Sequence, residues 1–252
     1  MRSPPAKPRS MCVLALAWGM HPNWLLVAAG NRDERHARAT LPLSRWMAKG
    51  PVIGGRDLEA GGTWLAVNEA GRLAAVTNVR GEAADPGKLS RGALVTDMLA
   101  GHEPEDLNAY NPFNLIAVDR DGPLYLSNRP DPVRRPLSPG MHGLSNGLFD
   151  TLWPKTIRVQ MALTAWLQEG SASMEKLFAA LADERPAGAA ERYEPDPFEP
   201  VDSPVFIRNP VYGTRCSTVV TVDHLGRGRI AERRFSSTGL LEGESVLSFT
   251  WS

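Results

Sequence analysis

Short apolar runs paired around tight polar turns recur along this chain, and they constrain its fold more than any other feature. Residues 12–18 and 24–29 are apolar and flank Gly19-Met-His-Pro-Asn23. Residues 63–67 and 72–76 flank Asn68-Glu-Ala-Gly71, where the glycine can supply the positive φ that a hairpin turn demands. The pattern returns at 115–118 and 124–127 around Asp119-Arg-Asp-Gly122, and at 217–222 and 228–235 around Asp223-His-Leu-Gly226. Residues 246–251 read as a last strand. Successive hairpins build antiparallel sheet, because a parallel neighbour needs a crossover of a dozen or more residues.

Helical periodicity fills the intervals. Ser90 can N-cap a helix with Leu94, Val95, Met98 and Leu99 on one face and Gly101 at its end. Residues 155–168 are apolar on most sides and should be largely buried. Ser173 opens a third helix, with Met174, Leu177, Phe178 and Leu181 at i, i+3, i+4, i+7 spacing. Hairpins early and late with helices between predict an α+β chain: antiparallel sheets with helices packed on their outer faces. Residues 183–214, rich in proline and acid, are expected to form one long surface loop. Residues 1–10 hold three prolines and three basic residues and almost nothing apolar, so a disordered leader is expected before a single domain over 11–252.

Composition removes several function classes. Lys+Arg and Asp+Glu each count 28, so no net field attracts nucleic acid or an anionic membrane. Two cysteines, Cys12 and Cys216, are far from a disulfide framework and suit a reducing compartment, so a cytoplasmic location is expected. No apolar run approaches the roughly 18 residues of a membrane span. Basic residues before an apolar run also begin a secretory signal. Here the run is brief and ends in Gly19, His21, Pro22 and Asn23, which favours a strand and its turn. The five histidines show no metal-ligand spacing, so no metal is expected.

The chemistry centres on Met11-Cys12. If translation starts at Met11, or the leader is clipped, Cys12 gains a free α-amino group. An α-amine titrates near ~7.7–8.0 and a thiol near ~8.5, so the amine can act as the thiol's own base. Most strand cysteines are simply small buried hydrophobes. Asn31-Arg32-Asp33-Glu34 directly follows the strand that should pair with the Cys12 strand. Asp33 can therefore reach the Cys12 α-amine through a charge-assisted hydrogen bond, although a solvated turn would look the same.

Met11-Cys12 followed by a strand, Asn31-Arg32-Asp33-Glu34, the run Gly61-Gly-Thr-Trp-Leu-Ala-Val-Asn68 through Asn78, Leu144-Ser-Asn-Gly147 and Gly213-Thr-Arg-Cys-Ser-Thr-Val219 together resemble the NRDE family, also called the transport and Golgi organisation protein 2 family. The resemblance covers residues 11–252. It implies the four-layer α/β/β/α sandwich of two antiparallel sheets found in N-terminal-nucleophile hydrolases such as penicillin V acylase. Carried over residue by residue, it makes Cys12 the nucleophile and Asp33 the carboxylate on the α-amine. Asn78 becomes the oxyanion-hole asparagine, Asn146 a second active-site asparagine and Arg215 the late arginine. Arg32 and Glu34 have no hydrolase counterpart.

Two functions follow as expectations. One is a cysteine hydrolase of carbon–nitrogen bonds, acting without a cofactor on a small amide or acyl substrate. The other is a non-catalytic protein that binds or moves haem or an acyl lipid, with Cys12 and a histidine such as His21 or His36 beside a Trp-lined cleft. A pure scaffold would leave the clustered polar motifs unexplained.

Overall fold

The computed structural model describes residues 12–79, 84–149, 153–170, 172–186 and 203–252. The leader and most of the acidic, proline-rich stretch lie outside these residues. Among the described residues, thirteen strands form two antiparallel sheets. The first sheet has the order β10-β1-β2-β11-β12-β13: Gly140–Leu144, Val13–Trp18, Trp24–Arg35, Tyr212–Asp223, Arg227–Phe235 and Leu241–Thr250. The second runs β3 to β9 in sequence order: Thr40–Met47, Pro51–Asp57, Leu65–Val67, Leu73–Asn78, Phe113–Asp119, Gly122–Ser127 and Val133–Pro136. Helices α2 (Pro154–Gln168) and α3 (Glu175–Leu181) pack on the outer face of the first sheet, and α1 (Arg91–Leu99) packs on the second. The result is the four-layer α/β/β/α sandwich.

Strand alternation sorts the apolar residues into three cores. Leu14, Leu16, Leu26 and Ala28 point between the sheets, against Ile53, Leu65, Leu73 and Ile116. Their odd-numbered neighbours Val13, Ala15, Val27 and Ala29 face α2 and α3, meeting Leu163, Trp166, Leu177 and Phe178. On the far side Leu94, Val95 and Leu99 cover Ala74, Val76 and Leu115. At ~25 cal/mol per Å², each fully buried leucine contributes roughly 1.5–3 kcal/mol, so the central core holds the sheets face to face.

All four hairpins read from the sequence occur, and Ser90 caps α1 by accepting from Gly92 N. Three differences concern the site. Strand β2 runs to Arg35, so the Asn-Arg-Asp-Glu motif lies within a strand and not in a turn after it. Strands β3 and β4 gave no hairpin signal, since Pro42 and Gly54-Gly55 interrupt their alternation. The stretch read as a surface loop is pinned before β11: Val205 and Phe206 are buried, and Phe206 stacks edge-on to Phe235.

Candidate active site

Cys12 sits one residue before β1, beside the motif strand. The pairing of Val13 with Asn31 brings it against residues 32 and 33. Asp33 N donates to Cys12 Sγ at 3.4 Å, and Ser145 Oγ donates to the Cys12 carbonyl at 2.8 Å. The thiol lies at the wall of a cleft of about 540 Å³, shared with Arg32, Asp33, Thr77, Asn78 and Arg91.

The motif divides across the sheet. Asn31 Nδ2 donates to the carbonyls of Leu181 and Val205, and its Oδ1 accepts from Ser217, so it locks α3 and the chain before β11 onto β2. Asp33 Oδ1 accepts from Thr214 at 2.6 Å, while its Oδ2 is buried with no hydrogen-bond partner among the described residues. Arg32 reaches the other way to Asp57 at 2.9 Å, on β4 of the second sheet. Glu34 stands 3.7 Å from both Arg32 and Arg38, and Arg38 pairs with Asp57 at 2.6 Å. Burial works against the Asp57 charge, yet the bonds from Arg38 and Ala60 N hold its carboxyl below the usual range.

Burial dominates the electrostatics of the pair at the centre. It pushes the Asp33 carboxyl up to about 6, against the pull of Lys155, the Thr214 bond and Arg32. It also pushes the Cys12 thiol up to about 12, helped by the nearby Asp33 charge and opposed by the Asp33 N–H, Arg32 and Lys155. A thiol held this high is not a nucleophile at neutral pH without a base. Lys155 is a residue that sequence reasoning missed. It reads as the polar start of an apolar helix, but it is fully buried beneath Trp153, 5.4 Å from that ring. No sequence signal marks it, because the charges that it acts on, those of Cys12 and Asp33, lie far away in the sequence.

The two asparagines meet. Asn146 Nδ2 donates to both the carbonyl and Oδ1 of Asn78, at 2.7 and 2.8 Å. With its oxygen so engaged, Asn78 has its amide N–H groups left for the cleft that it lines. Asn146 Oδ1 is buried without a hydrogen-bond partner among the described residues. The loop after β10 that carries Asn146 is held from the second sheet: Thr77 donates to the Ser145 carbonyl, and Asn114 donates to those of Ser145 and Gly147. Asn114 is oriented in turn by Tyr125 and Ser127. Only its alternation on β7 could have hinted at this role.

Arg215 does not join the cluster. It is the extra residue of a β-bulge between Thr214 and Cys216, and its Nη1 donates to the carbonyls of Arg35, His36 and Arg38 at 2.8–3.0 Å. It clips the turn after the motif strand and faces a separate small cavity. His36 bonds the Asn209 carbonyl and His21 receives the Asn23 N–H; neither lines the cleft. The opposite wall depends on close backbone approach. A Cβ on Gly62 would lie 2.2 Å from the Gly92 carbonyl carbon, so only glycine lets the Thr63-Trp64 segment rest on the first turn of α1. Among the described residues no group of acidic, histidine and cysteine side chains could hold a metal, and no helix is long and apolar enough to cross a membrane.

Two facing antiparallel sheets with helices on both outer faces give the fold of the N-terminal-nucleophile hydrolases. A conjugated bile acid hydrolase variant from Clostridium perfringens shares this fold, with a TM-score of 0.50 at 11% identity over 96% of this chain and 97% of that one. The sequence comparison is narrower: the family model described as Transport and Golgi organisation 2 matches residues 11–237. The human Transport and Golgi organization protein 2 homolog is 31% identical over 93% of this chain and 97% of its own length. The Drosophila melanogaster protein of that name is 27% identical over 91% and 93%. This chain belongs to the transport and Golgi organisation 2 family.

Proposed function

We propose that the protein, once Cys12 is its first residue, is a cysteine N-terminal-nucleophile hydrolase of a small amide or acyl substrate. The observation that carries this reading is the state of Asp33. A carboxyl group almost without exposure, pushed up to about 6 by burial even with Lys155 and Arg32 nearby, and with one oxygen lacking a hydrogen-bond partner among the described residues, has a place for one further cation beside the cysteine. The α-ammonium of a freed Cys12 is a cation of the right size. The partnerless Asn146 Oδ1 offers a second acceptor in the same region.

The chemistry then closes. The neutral α-amine takes the thiol proton, and the sulfur attacks the substrate carbonyl. Asn78 N–H donates to the developing oxyanion, an interaction worth roughly 2.7–4 kcal/mol of barrier in such sites. The ammonium passes its proton to the leaving nitrogen, the amine departs, and a thioester remains on Cys12. Water, deprotonated by the same α-amine, attacks the thioester to release the acid and restore the thiol. Asp33 keeps the amine oriented throughout and does not itself exchange the proton.

The test is intact mass and N-terminal sequencing of protein made in cells, followed by incubation with amide and thioester substrates. Protein beginning at Cys12 that gains the mass of an acyl group at this residue meets the expectation. Protein that retains residues 1–11 in its functional form, or that starts at Cys12 and never acylates, overturns it. A haem-binding reading gains no support from the histidines, since neither His21 nor His36 reaches the cleft.

A further inference from the structure

Behind the Arg32–Asp57 pair, on the side away from Cys12, a cavity of about 30 Å³ lies between the sheets. Four arginines line it: Arg32, Arg56, Arg215 and Arg234. Two carboxylates line it with them, Asp57 and Glu232; Asp57 is shared with Arg38, and Glu34, outside the lining, stands 3.7 Å from Arg32. Among the described residues Glu232 forms no close ion pair, although Arg234 and Arg32 both favour its charge; its Oε1 accepts from Leu43 N at 2.8 Å, and its Oε2 lies near Gly55. Arg215 spends its bonds on three backbone carbonyls. Among the described residues neither Arg56 nor Arg234 forms a close ion pair, and Arg56 rests over the Trp46 ring at 5.0 Å.

The donors tell the same story as the charges. Arg32 Nη1, Arg56 Nε and Arg234 Nε are all buried, and none has an acceptor among the described residues. Arg32 itself is only 9% exposed. Buried guanidinium N–H groups are costly to leave unmade, and three around one cavity mark a missing acceptor. Water could accept the bonds but would leave the positive excess in place. A space of this size holds a group no larger than one or two waters, which excludes a whole substrate molecule but not a single small anionic group.

We infer that this cavity binds a small monovalent anion of halide size, held by Arg32, Arg56 and Arg234. The ion offsets part of the positive excess and anchors the end of the motif strand from behind. The inference stands on residues outside the proposed chemistry of Cys12, so it survives or fails separately from the hydrolase reading.

Thermal unfolding in sodium chloride, bromide, formate and gluconate at equal ionic strength tests it. Gluconate is too large to enter. Chloride and bromide are expected to raise Tm by about 3 °C or more over gluconate, saturating with concentration as specific binding does. Arg234→Gln should raise Tm in gluconate, by removing an uncompensated charge, and should lose most of the halide gain. Crystals grown in bromide should show an anomalous peak in the cavity. Equal Tm in all four salts, or a bromide crystal with only water there, overturns the site. A shift with formate but not with chloride overturns the halide assignment and points to a ligand's carboxylate instead.

Discussion

Freeing Cys12 should change how stability depends on pH, and the size of the change follows from Asp33. In the chain with residues before Cys12 attached, burial holds this carboxyl at about 6 against an ordinary 3.8. Two units and a little more correspond to about 3 kcal/mol of differential free energy. The sign is that of a raised carboxyl: its contribution is fully present below the unfolded value, near pH 4, and is lost as pH rises through 6. Between pH 5 and 7.5 the unprocessed protein should therefore lose roughly 1.4 kcal/mol through this one group. In protein beginning at Cys12, the α-ammonium pairs with Asp33 and this loss should vanish or reverse. Urea unfolding at both pH values measures it, with Asp33→Asn as the control that isolates the carboxyl from other groups such as Glu232. Asp33→Asn should stabilise the unprocessed form at pH 7.5 and destabilise the processed one. If Asp33→Asn leaves the pH slope of the unprocessed form unchanged, or if processing does not alter that slope, the reasoning about an absent cation is wrong.

Further outcomes follow from the same geometry. Cys12→Ala should abolish turnover and acyl-enzyme formation while leaving the circular dichroism spectrum and Tm close to those of the parent. Asn78→Ala should lower kcat by about 10²–10³ with little change in KM, the pattern of a donor used in the transition state; a change confined to KM would argue against an oxyanion role. Lys155→Met removes the cation that most opposes the rise of Asp33, so the carboxyl should titrate above 6, readable by carbon-13 NMR of labelled aspartate. Arg215→Met should cost about 1–3 kcal/mol of stability through three carbonyls losing their donor, and it should leave the intrinsic rate of acylation intact. A collapse of kcat at full folding would return Arg215 to the chemistry.

The fold was legible because its evidence is local. A hairpin writes both strands and its turn into a dozen residues, so β1–β2, β5–β6, β7–β8 and β11–β12 could all be read. Their assembly into two facing sheets came from the family resemblance and not from periodicity. Strands β3 and β4 escaped because Pro42 and Gly54 break their pattern, and β4 supplies Asp57, a partner nothing in the sequence assigns to Arg32. Asp33 and Asn146 could be picked out by motif, whereas the features that make their environment unusual could not. The burial of Lys155, the bridging by Asn114 and the bulge at Arg215 are each produced by contacts between segments more than 20 residues apart. Arg215 shows the limit of carrying a role by position: one inserted bulge residue turned its guanidinium away from the cleft and onto the backbone.

That same alternation explains why the motif consists of four polar residues in a strand that would otherwise bury apolar ones. Asn31 and Asp33 point toward the helix layer, where one ties down α3 and the other waits beside the start of β1. Arg32 and Glu34 point between the sheets, where they join Arg38 and Asp57 across the gap. With a side-chain period of two, a slip of one residue against β1 would put Arg32 in the place of Asp33 and lose both sets at once. The Asp57 pair fixes the second sheet against the motif strand, and the Thr214 bond fixes Asp33 against β11. The carboxyl beside Cys12 is thus held from two directions. Arg32 and Glu34, to which the family resemblance assigns no hydrolase counterpart, tie the motif strand to Arg38 and Asp57 and so help set the register on which the geometry of Asp33 depends.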